Sequence, residues 1–345
     1  MRVALLFGAV PEEAPADELD VLREVELAEE TLRRLGHETA RVPLSLRLDE
    51  GARALTGFSP DVVVNLVETL EGKGDLAHFA PALLDRLRLP YTGAPTQALF
   101  LTSDKVLAKR WLVAAGLPTP AWATERELAA GARIPTPAII KPVSEDASVG
   151  IDETSVVSRG DRVWAETRAR TLRLGSECFA ERYIEGREFN LSLLETADGP
   201  QVLPPAEIRF AGYPAEKPRM VCYRAKWDAA SFEYRNTPRS FDFPASDRAL
   251  LERLASMATA CWRHFGLAGY ARVDFRVDRS GEPWVLEINA NPCISPESGF
   301  VAAAARAGYG YPELLSRFLE VALRRVARPP QNGACASLDT QTGCV

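Results

Sequence analysis

The sequence predicts an α/β protein whose N-terminal part is a doubly wound parallel sheet and whose C-terminal part is α+β. Two patterns carry this prediction. Strand-like apolar runs alternate with helical periodicity over the first 100 residues, which is typical of parallel strands joined by helices. From Glu188 onward, strand patterns dominate and single helices interrupt them. At 345 residues, the chain is long enough for two or three structural units.

The first unit, residues 1–100, should contain the parallel sheet. Its apolar residues recur first at strand spacing and then at helical spacing, and Gly36 ends the first helix. The expected elements are a strand over 2–8, a helix over 20–35, strands over 37–44 and 62–64, a helix over 79–89 and a short strand at 90–93.

The second unit, residues 101–187, should begin at Thr102, which is expected to cap a helix that ends at Gly116. The remaining elements expected in this unit are strands near 120–124 and 137–143, a helix over 163–174 and a strand over 178–184.

The third unit, residues 188–326, should be rich in strands. A long polar stretch over 211–243 has few periodic apolar residues, which is typical of a functional loop. Residues 327–345 are expected to be a disordered tail, although Cys335 and Cys344 could instead form a redox loop or a partner tag. The elements expected in this unit are strands over 189–196 and 201–210, a helix over 247–265, strands over 270–278 and 283–290, and a helix over 312–326.

Composition excludes several classes of protein. Apolar residues make up 46% of the chain and charged residues 26%, which argues against global disorder, collagen and coiled coil. No apolar run reaches the ~18 residues of a membrane span, and the N-terminus resembles a β-strand more than a signal peptide, so we expect a cytoplasmic protein without a membrane partner. A formal charge of −6 argues against nucleic acid as a partner. Six cysteines without a CxxC pair and three scattered histidines argue against a zinc or thiol site.

Lysine is rare in this chain. Of the 41 cationic lysine and arginine side chains, six are lysines, which leaves 35 arginines. A compact ammonium group is a point charge that suits a phosphate, so the retained lysines are candidates for such a contact. They are Lys73, Lys105, Lys109, Lys141, Lys217 and Lys226.

Two neighbouring strand patterns carry the most specific polar residues. Residues two apart in a strand point to the same face, so Arg272 projects with Asp274, and Glu287 projects with Asn289. Carboxylate and amide oxygens suit Mg²⁺. The alternative is an ordinary hairpin with a solvated face, but unpaired carboxylates beside an apolar run would be costly to bury. The pattern therefore favours a metal site.

Two weaker motifs fit a nucleotide. Lys141 ends a buried strand, and the small-residue turn after it can direct backbone N–H groups at phosphate oxygens, although Lys-Pro is also a plain strand terminator. Glu181 and Glu188 flank a turn that contains Gly186. This segment could hydrogen-bond an adenine edge and a ribose, and a surface hairpin would show the same pattern.

Together, these motifs resemble the ATP-grasp superfamily and, within it, the D-alanine–D-alanine ligase-like enzymes. The resemblance covers about residues 2–325 and implies an ATP-grasp fold with ATP between the central and C-terminal subdomains. It rests on the order of Lys105, Lys141, Glu181, Glu188, Lys226, Asp274, Glu287 and Asn289 along the chain.

The resemblance implies two catalytic residues and a metal site. Arg272 would stabilise the oxyanion of a tetrahedral intermediate, and Lys226 would belong to a mobile loop that closes over the phosphates. Asp274, Glu287 and Asn289 would hold two Mg²⁺ ions, which Mn²⁺ can replace, with Glu287 bridging both.

The resemblance also implies an ATP-binding set. Two lysines would contact the phosphates, one glutamate would contact the ribose, and the end of the strand predicted over 178–184 would line the adenine pocket. These residues are Lys105 and Lys141 for the phosphates, Glu188 for the ribose, Glu181, Tyr183 and Ile184 for the adenine, and Glu145, Ser148 and Leu286 as further ATP contacts.

The sequence departs from the family where the amino acids would bind. Housekeeping ligases carry a His-Gly motif after the third strand, whereas Glu68 or Asn65 is the polar residue here. Ala147 and Trp227 stand where a Ser–Tyr pair fixes the mobile loop, and neither can form that hydrogen bond. Cys293 replaces the Gly of the oxyanion turn, to which its backbone N–H would contribute.

Two further substrate contacts follow from the resemblance. An acidic residue in the first loop normally holds the substrate amine, and Asp17 or Glu18 is the candidate here. Ser298 matches a position that binds the substrate carboxylate.

The sequence thus predicts an ATP- and Mg²⁺-dependent ligase that forms an amide between a carboxylate and an amine through an acyl phosphate. Its substrates should be amino acids or peptide-like metabolites other than two D-alanines. The alternatives are a housekeeping D-alanine–D-alanine ligase of cell-wall synthesis and a non-catalytic nucleotide-binding regulator, against which the full metal set argues. A carboxylase ranks low because no biotin-carboxylase-like subdomain is visible. A homodimer is left open.

Overall fold

The structure is a computed structural model that describes residues 1–11, 13–14, 16–145 and 148–327. It contains three sheets, each built from a separate part of the chain. In the described residues, every helix is too short or too polar to cross a membrane.

The N-terminal sheet is parallel and has the strand order β2-β1-β3. Alternate residues of its central strand enter different cores: Leu5 packs with Leu32 on one face, and Leu6 packs with Leu84 on the other. Helices therefore cover both faces, which confirms the doubly wound sheet. The elements are β1 (Arg2–Gly8), α1 (Ala16–Arg34), β2 (Glu38–Leu44), α2 (Leu48–Phe58), β3 (Val62–Asn65) and α3 (Phe79–Leu87).

The central sheet is antiparallel and has the strand order β4-β7-β5-β6. Two helices precede it, and two others pack against it. The elements are α4 (Thr96–Ser103), α5 (Lys105–Ala114), β4 (Trp122–Thr124), α6 (Glu125–Ala129), β5 (Ala138–Pro142), β6 (Val156–Val157), α7 (Val163–Leu174) and β7 (Cys178–Arg182).

The C-terminal sheet is antiparallel and has the strand order β11-β10-β8-β12-β13, with β9 paired to β8. The elements are β8 (Gly186–Thr196), β9 (Gly199–Val202), β10 (Ala206–Ile208), α8 (Tyr223–Trp227), α9 (Phe232–Arg235), β11 (Arg239–Ser240), α10 (Arg248–Phe265), β12 (Tyr270–Asp278), β13 (Pro283–Asn289), α11 (Gly299–Arg306) and α12 (Tyr311–Ala327).

Strand alternation in the C-terminal sheet separates a buried face from a polar one. Val273 and Phe275 of β12 enter the core that α4, α5 and α10 cover. Arg272 and Asp274, one residue out of phase, point to the opposite face and line a cleft. The fold therefore presents the polar side chains of β12 together on one surface.

Several predicted elements differ in detail. Thr102 lies inside α4, where its hydroxyl donates to the Ala98 carbonyl at 2.9 Å, so it caps no helix. The cap of α5 is Asp104, which accepts from the Leu107 N–H at 2.8 Å. The short strand expected at 90–93 is reduced to a bridge between Val63 and Tyr91.

Other differences concern elements that the sequence patterns did not reveal. The polar stretch 211–243 contains α8, α9 and β11, and neither α2 nor α11 was predicted. The unit boundaries at 100 and 187 stay predictions. The expected disordered tail falls on residues that lie outside the described part of the chain, apart from the end of α12.

Candidate active site

All three sheets contribute to a single cleft of about 880 Å³. Glu68 follows β3, Lys141 lies in β5, Glu181 lies in β7, and Asp274 lies in β12. The cleft brings together most of the residues predicted from the sequence: Lys141, Ser148, Glu181, Tyr183, Ile184, Glu188, Lys226, Trp227, Arg272, Asp274, Leu286, Glu287, Asn289, Glu68, Cys293 and Ser298.

The predicted metal ligands face each other across two strands. Asp274 is opposite Glu287 in the register of β12 and β13, and a bulge follows Asp274. Asn289 is opposite Arg272. These hard oxygen donors on one wall of the cleft fit Mg²⁺.

Asp274 is held by hydrogen bonds on both of its oxygens. Arg272 donates from Nε to Oδ1 at 2.8 Å and from Nη2 to Oδ2 at 2.9 Å. Asn190 on β8 also donates from Nδ2 to Oδ1 at 2.8 Å. Carboxylate oxygens carry further lone pairs, so these contacts orient Asp274 and leave it capable of binding a cation.

A buried carboxylate lies between two lysines at the opposite wall of the cleft. Glu181 is 1% exposed; its Oε1 accepts from Lys141, and its Oε2 lies 2.5 Å from Nζ of Lys109. Burial alone would raise the pKa of Glu181, but the two ammonium groups outweigh it and lower that pKa. Burial lowers the pKa of Lys109, and the Glu181 charge opposes that change.

Lys105 connects the helix α5 to the metal wall. Its Nζ lies 3.6 Å from Oε1 of Glu287 and donates to the backbone carbonyl of Glu145 at 2.6 Å. Glu145 thus contributes through its backbone. The predicted phosphate lysine Lys105 is therefore next to a predicted metal ligand.

The predicted adenine and ribose contacts are held by Arg276. This guanidinium lies 3.1 Å from Oε2 of Glu188 and 5.7 Å from the centre of the Tyr183 ring. Burial raises the pKa of Glu188, and the charge of Arg276 opposes that change. The Tyr183 hydroxyl donates to the Arg219 carbonyl at 2.9 Å. The nucleotide roles of Glu188 and Tyr183 stay predictions.

The segment that carries Lys226 lies over the cleft. Lys226 and Trp227 end α8 and line the cleft, and the Ser148 hydroxyl donates to the Val221 carbonyl at 2.8 Å. Ser148 thus connects the loop after β5 to this segment. Ala147, the residue predicted to stand in for a Ser, lies outside the described residues.

A cluster of acidic side chains lies at the end of the cleft beside α1. Glu24, Glu68 and Cys293 have ligand atoms within 4.8 Å of one another. Glu24 is 2% exposed, and its Oε1 accepts from the Ile294 N–H at 2.5 Å. Burial and then the charge of Glu68 raise the pKa of Glu24 well above its ordinary value. Burial also raises the pKa of the Cys293 thiol, which is therefore neutral.

The acidic candidates of the first loop lie elsewhere. Oε1 of Glu18 is 3.1 Å from the position that a Cβ on Gly72 would take, and the described lining of the cleft includes Asp20 but not Glu18. The side chain of Asp17 lies outside the described part of the chain. Their roles stay predictions. Glu24 does not line the cleft either, but it lies within 4.8 Å of Glu68, which does, and is therefore a third candidate.

Sequence reasoning missed several polar residues of the site, and a signal existed for three of them. Asn190 and Arg276 have the same strand parity as Asp274, so period-two counting could have placed both in the cleft. Lys109 was one of the six lysines named as phosphate candidates, but its ion pair with Glu181 was not predicted. Glu24 lies on a helix with many acidic residues, of which Glu29 is also buried, and only the fold shows that Glu24 is the one beside Glu68 and Cys293.

The chain is similar to known proteins in both sequence and fold. A family model described as the D-ala D-ala ligase C-terminus matches residues 115–320. The D-alanine–D-alanine ligase of Gluconobacter oxydans is 32% identical and covers 94% of this chain and 100% of its own, and that of Acidiphilium cryptum is 34% identical with 94% and 99% covered. The D-alanine–D-alanine ligase of Bacillus anthracis complexed with ATP has the same fold, with a TM-score of 0.71 at 22% identity over 95% of this chain and 99% of that one.

Proposed function

The chain belongs to the D-alanine–D-alanine ligase family, and from this premise we propose that it joins two amino-acid-like substrates other than a pair of D-alanines. It is an ATP- and Mg²⁺-dependent, ADP-forming ligase of the D-alanine–D-alanine ligase type. The observation that supports its catalytic competence is the facing pair Asp274 and Glu287, with Asn289 beside them on the same wall of the cleft.

The reaction requires a phosphoryl transfer and then an acyl transfer. A substrate carboxylate attacks the γ-phosphorus of ATP to give an acyl phosphate and ADP. The amine then attacks the acyl carbon, inorganic phosphate leaves, and the amine nitrogen loses a proton to give the amide. Such transfers depend on positioning and charge neutralisation more than on a protein nucleophile.

The residues of the cleft suit these two demands. Bound Mg²⁺ would supply charge neutralisation at the phosphates, and Asp274, Glu287 and Asn289 would hold it. Lys141, which Glu181 holds by hydrogen bond, would bind phosphate oxygens. Arg272, fixed by its two hydrogen bonds to Asp274, would donate to the oxyanion of the tetrahedral intermediate.

The acidic end of the cleft supports a substrate other than D-alanine. Glu68 or Asn65 takes the place of the histidine that housekeeping ligases carry, and Glu68 lies against Glu24 and Cys293. Because Glu68 lies beside Glu24, an amine that enters this end of the cleft meets two carboxyl groups instead of one. Trp227, in place of the usual Tyr, adds apolar surface to the wall of the cleft. A site that loses one set of polar partners no longer favours the ligand that matched them.

A housekeeping D-alanine–D-alanine ligase is the second candidate. It is favoured by the D-alanine–D-alanine ligase of Gluconobacter oxydans, which this chain matches over that protein's full length. The cytoplasmic location and the homodimer stay predictions in either case.

The test is a screen of amino-acid pairs that measures ADP and product mass, followed by kcat/KM for each active pair. We expect D-alanine with D-alanine to rank below another pair. If kcat/KM for D-alanine with D-alanine exceeds that of every other pair by a decade or more, the protein is a housekeeping ligase. If no pair yields ADP or a product, the catalytic proposal fails and the regulatory alternative is favoured.

A further inference from the structure

Arg239 is a cationic residue of the cleft that has no role in the proposed binding of ATP, Mg²⁺ or the substrates. It lies in β11, opposite Ile208 of β10, and lines the cleft together with Ser298 and Gly299. Within the described part of the chain, no carboxylate lies within ion-pair distance of its guanidinium.

Two other arginines of the same cleft do have carboxylate partners. Arg23 lies 2.7 Å from Glu297, and Arg272 lies 2.8 Å from Asp274. Arg239 is accessible because it faces the open cleft, yet protein surrounds much of it. This partial burial and the like charge of Arg272 lower the pKa of Arg239. An anionic group on a ligand would therefore stabilise this cation.

The position of the guanidinium is defined by a glycine. A Cβ on Gly299 would lie 3.2 Å from Nη2, 3.5 Å from Cζ and 3.6 Å from Nε of Arg239. The guanidinium therefore occupies the space that a side chain at position 299 would need. Gly299 is the first residue of α11, and Ser298 is its N-cap, with Oγ accepting from the Val301 N–H at 3.2 Å.

These features bring three groups with an affinity for anions to one place. The guanidinium offers a planar fork that matches a carboxylate, the Ser298 hydroxyl retains its proton as a donor, and the first N–H groups of α11 carry partial positive charge. Ser298 is also the residue predicted to contact the substrate carboxylate. A carboxylate is a better candidate than a phosphate for this place. The predicted phosphate contacts, Lys105 and Lys141, lie on other elements of the fold, α5 and β5.

We propose that Arg239 binds a carboxylate of the amine substrate and so selects amines that carry one. This inference rests on the proposed function. The carboxylate is either the α-carboxylate of the amino acid or a carboxylate on its side chain, and both bind a guanidinium in the same way. Arg239 is thus a specificity-determining residue of the ligase.

The test compares three amines in steady-state assays of the full chain with saturating ATP and saturating acid substrate. The amines are D-alanine, D-alaninamide and D-aspartate. R239Q removes the charge and retains a polar side chain, R239K restores the charge, and R235Q is the matched control, because Arg235 lies in the same segment but does not line the cleft.

We expect R239Q to raise KM for the carboxylate-bearing amine about 10- to 100-fold, because a charge-assisted hydrogen bond is lost. KM for ATP should not change, R239K should recover part of the loss, and R235Q should behave as wild type. A penalty with D-alanine and D-aspartate but not with D-alaninamide assigns the α-carboxylate. A penalty confined to D-aspartate assigns the side-chain carboxylate.

Two results separate failure of this inference from failure of the function. If the wild type forms product and R239Q has unchanged KM for all three amines, or changes only KM for ATP, Arg239 does not bind the amine substrate. If the wild type forms no ADP with any amino-acid pair, the proposed function is wrong, and the inference about Arg239 is wrong as well. The unfolding temperature of R239Q, measured alongside, shows whether the variant is folded.

Discussion

Replacing Glu24 by Gln should stabilise the fold while weakening the reaction. The carboxylate is 2% exposed and lies within 4.8 Å of the ligand atoms of Glu68 and Cys293. Two unit charges at that separation repel by about 3.5 kcal/mol at an effective dielectric constant of about 20. Glutamine keeps an oxygen that can accept the Ile294 N–H, so the variant removes the charge and retains the hydrogen bond.

The effect should depend on pH in a defined direction. The folded-state pKa of Glu24 is raised, so below the unfolded-state value of 4.5 the group is protonated in both states and has no effect on stability. As pH rises from there to the folded-state pKa, the unfolded chain releases the proton and the folded chain retains it. The free energy of unfolding of the wild type therefore falls over that window. Glu24→Gln, which cannot titrate, avoids this loss.

We expect the free energy of unfolding of Glu24→Gln to exceed that of the wild type by about 1–3 kcal/mol at pH 8, which is less than the charge repulsion of about 3.5 kcal/mol. Near pH 4.5 the two proteins should have almost equal stability. For a chain with domains of this size, the gain at pH 8 corresponds to a rise in unfolding temperature of about 2–10 °C. Thermal unfolding measured between pH 4.5 and pH 8 is the assay. Glu26→Gln is the matched control, because it removes the same charge from an exposed position of α1.

Activity should change in the opposite direction if Glu24 accepts the substrate ammonium, with a raised KM for one amino-acid substrate. An unfolding temperature that does not rise at pH 8, or that rises equally at pH 4.5 and pH 8, would refute the electrostatic reasoning. A gain of the same size in Glu26→Gln would reduce it to a general effect of net charge.

Three further predictions concern the nucleotide and metal sides of the cleft. Asp274→Asn and Glu287→Gln should each abolish turnover while leaving the unfolding temperature within a few degrees, because each keeps the shape and removes a charge that Mg²⁺ needs; wild-type kcat at saturating Mg²⁺ would disprove the metal assignment. Lys141→Ala should weaken ATP binding by about one to two decades without changing which amino acids are accepted, and calorimetry measures this. Lys109→Met should also weaken ATP binding, because Glu181 would then neutralise Lys141, and adding Glu181→Gln should restore it; equal affinity in the single and double variants would contradict the charge argument.

The sequence predicted those parts of the molecule in which the spacing of polar and apolar residues matches the repeat of the strand or helix. Alternation in β12 and β13 placed Arg272, Asp274 and Glu287 on one surface, because strand parity depends only on counting residues. The cap of α5 was misplaced by two residues, because Thr102 and Asp104 are both good caps and only the preceding helix α4 decides between them.

Contacts between distant segments could not be predicted in the same way. Glu24 and Cys293 are 269 positions apart, and their proximity depends on how α1 packs beside the turn after β13. The same holds for Arg239, whose place over Gly299 follows from the pairing of β11 with β10. Sequence spacing carries no information about such packing, so the substrate end of the cleft was the least predictable part.

Helix α5 explains how the nucleotide and metal sides are held in fixed relation. Lys105 and Lys109 are one turn apart and therefore share a face of the helix. The first lies 3.6 Å from Glu287 of the C-terminal sheet, and the second lies 2.5 Å from Glu181 of the central sheet. Lys109 also donates to the Thr119 hydroxyl, which donates in turn to the Val285 carbonyl of β13, both at 2.8 Å. One helix thus contacts both walls. A movement that separated the two sheets would have to break either the Lys109–Glu181 pair, which is almost wholly desolvated, or the more exposed contact between Lys105 and Glu287.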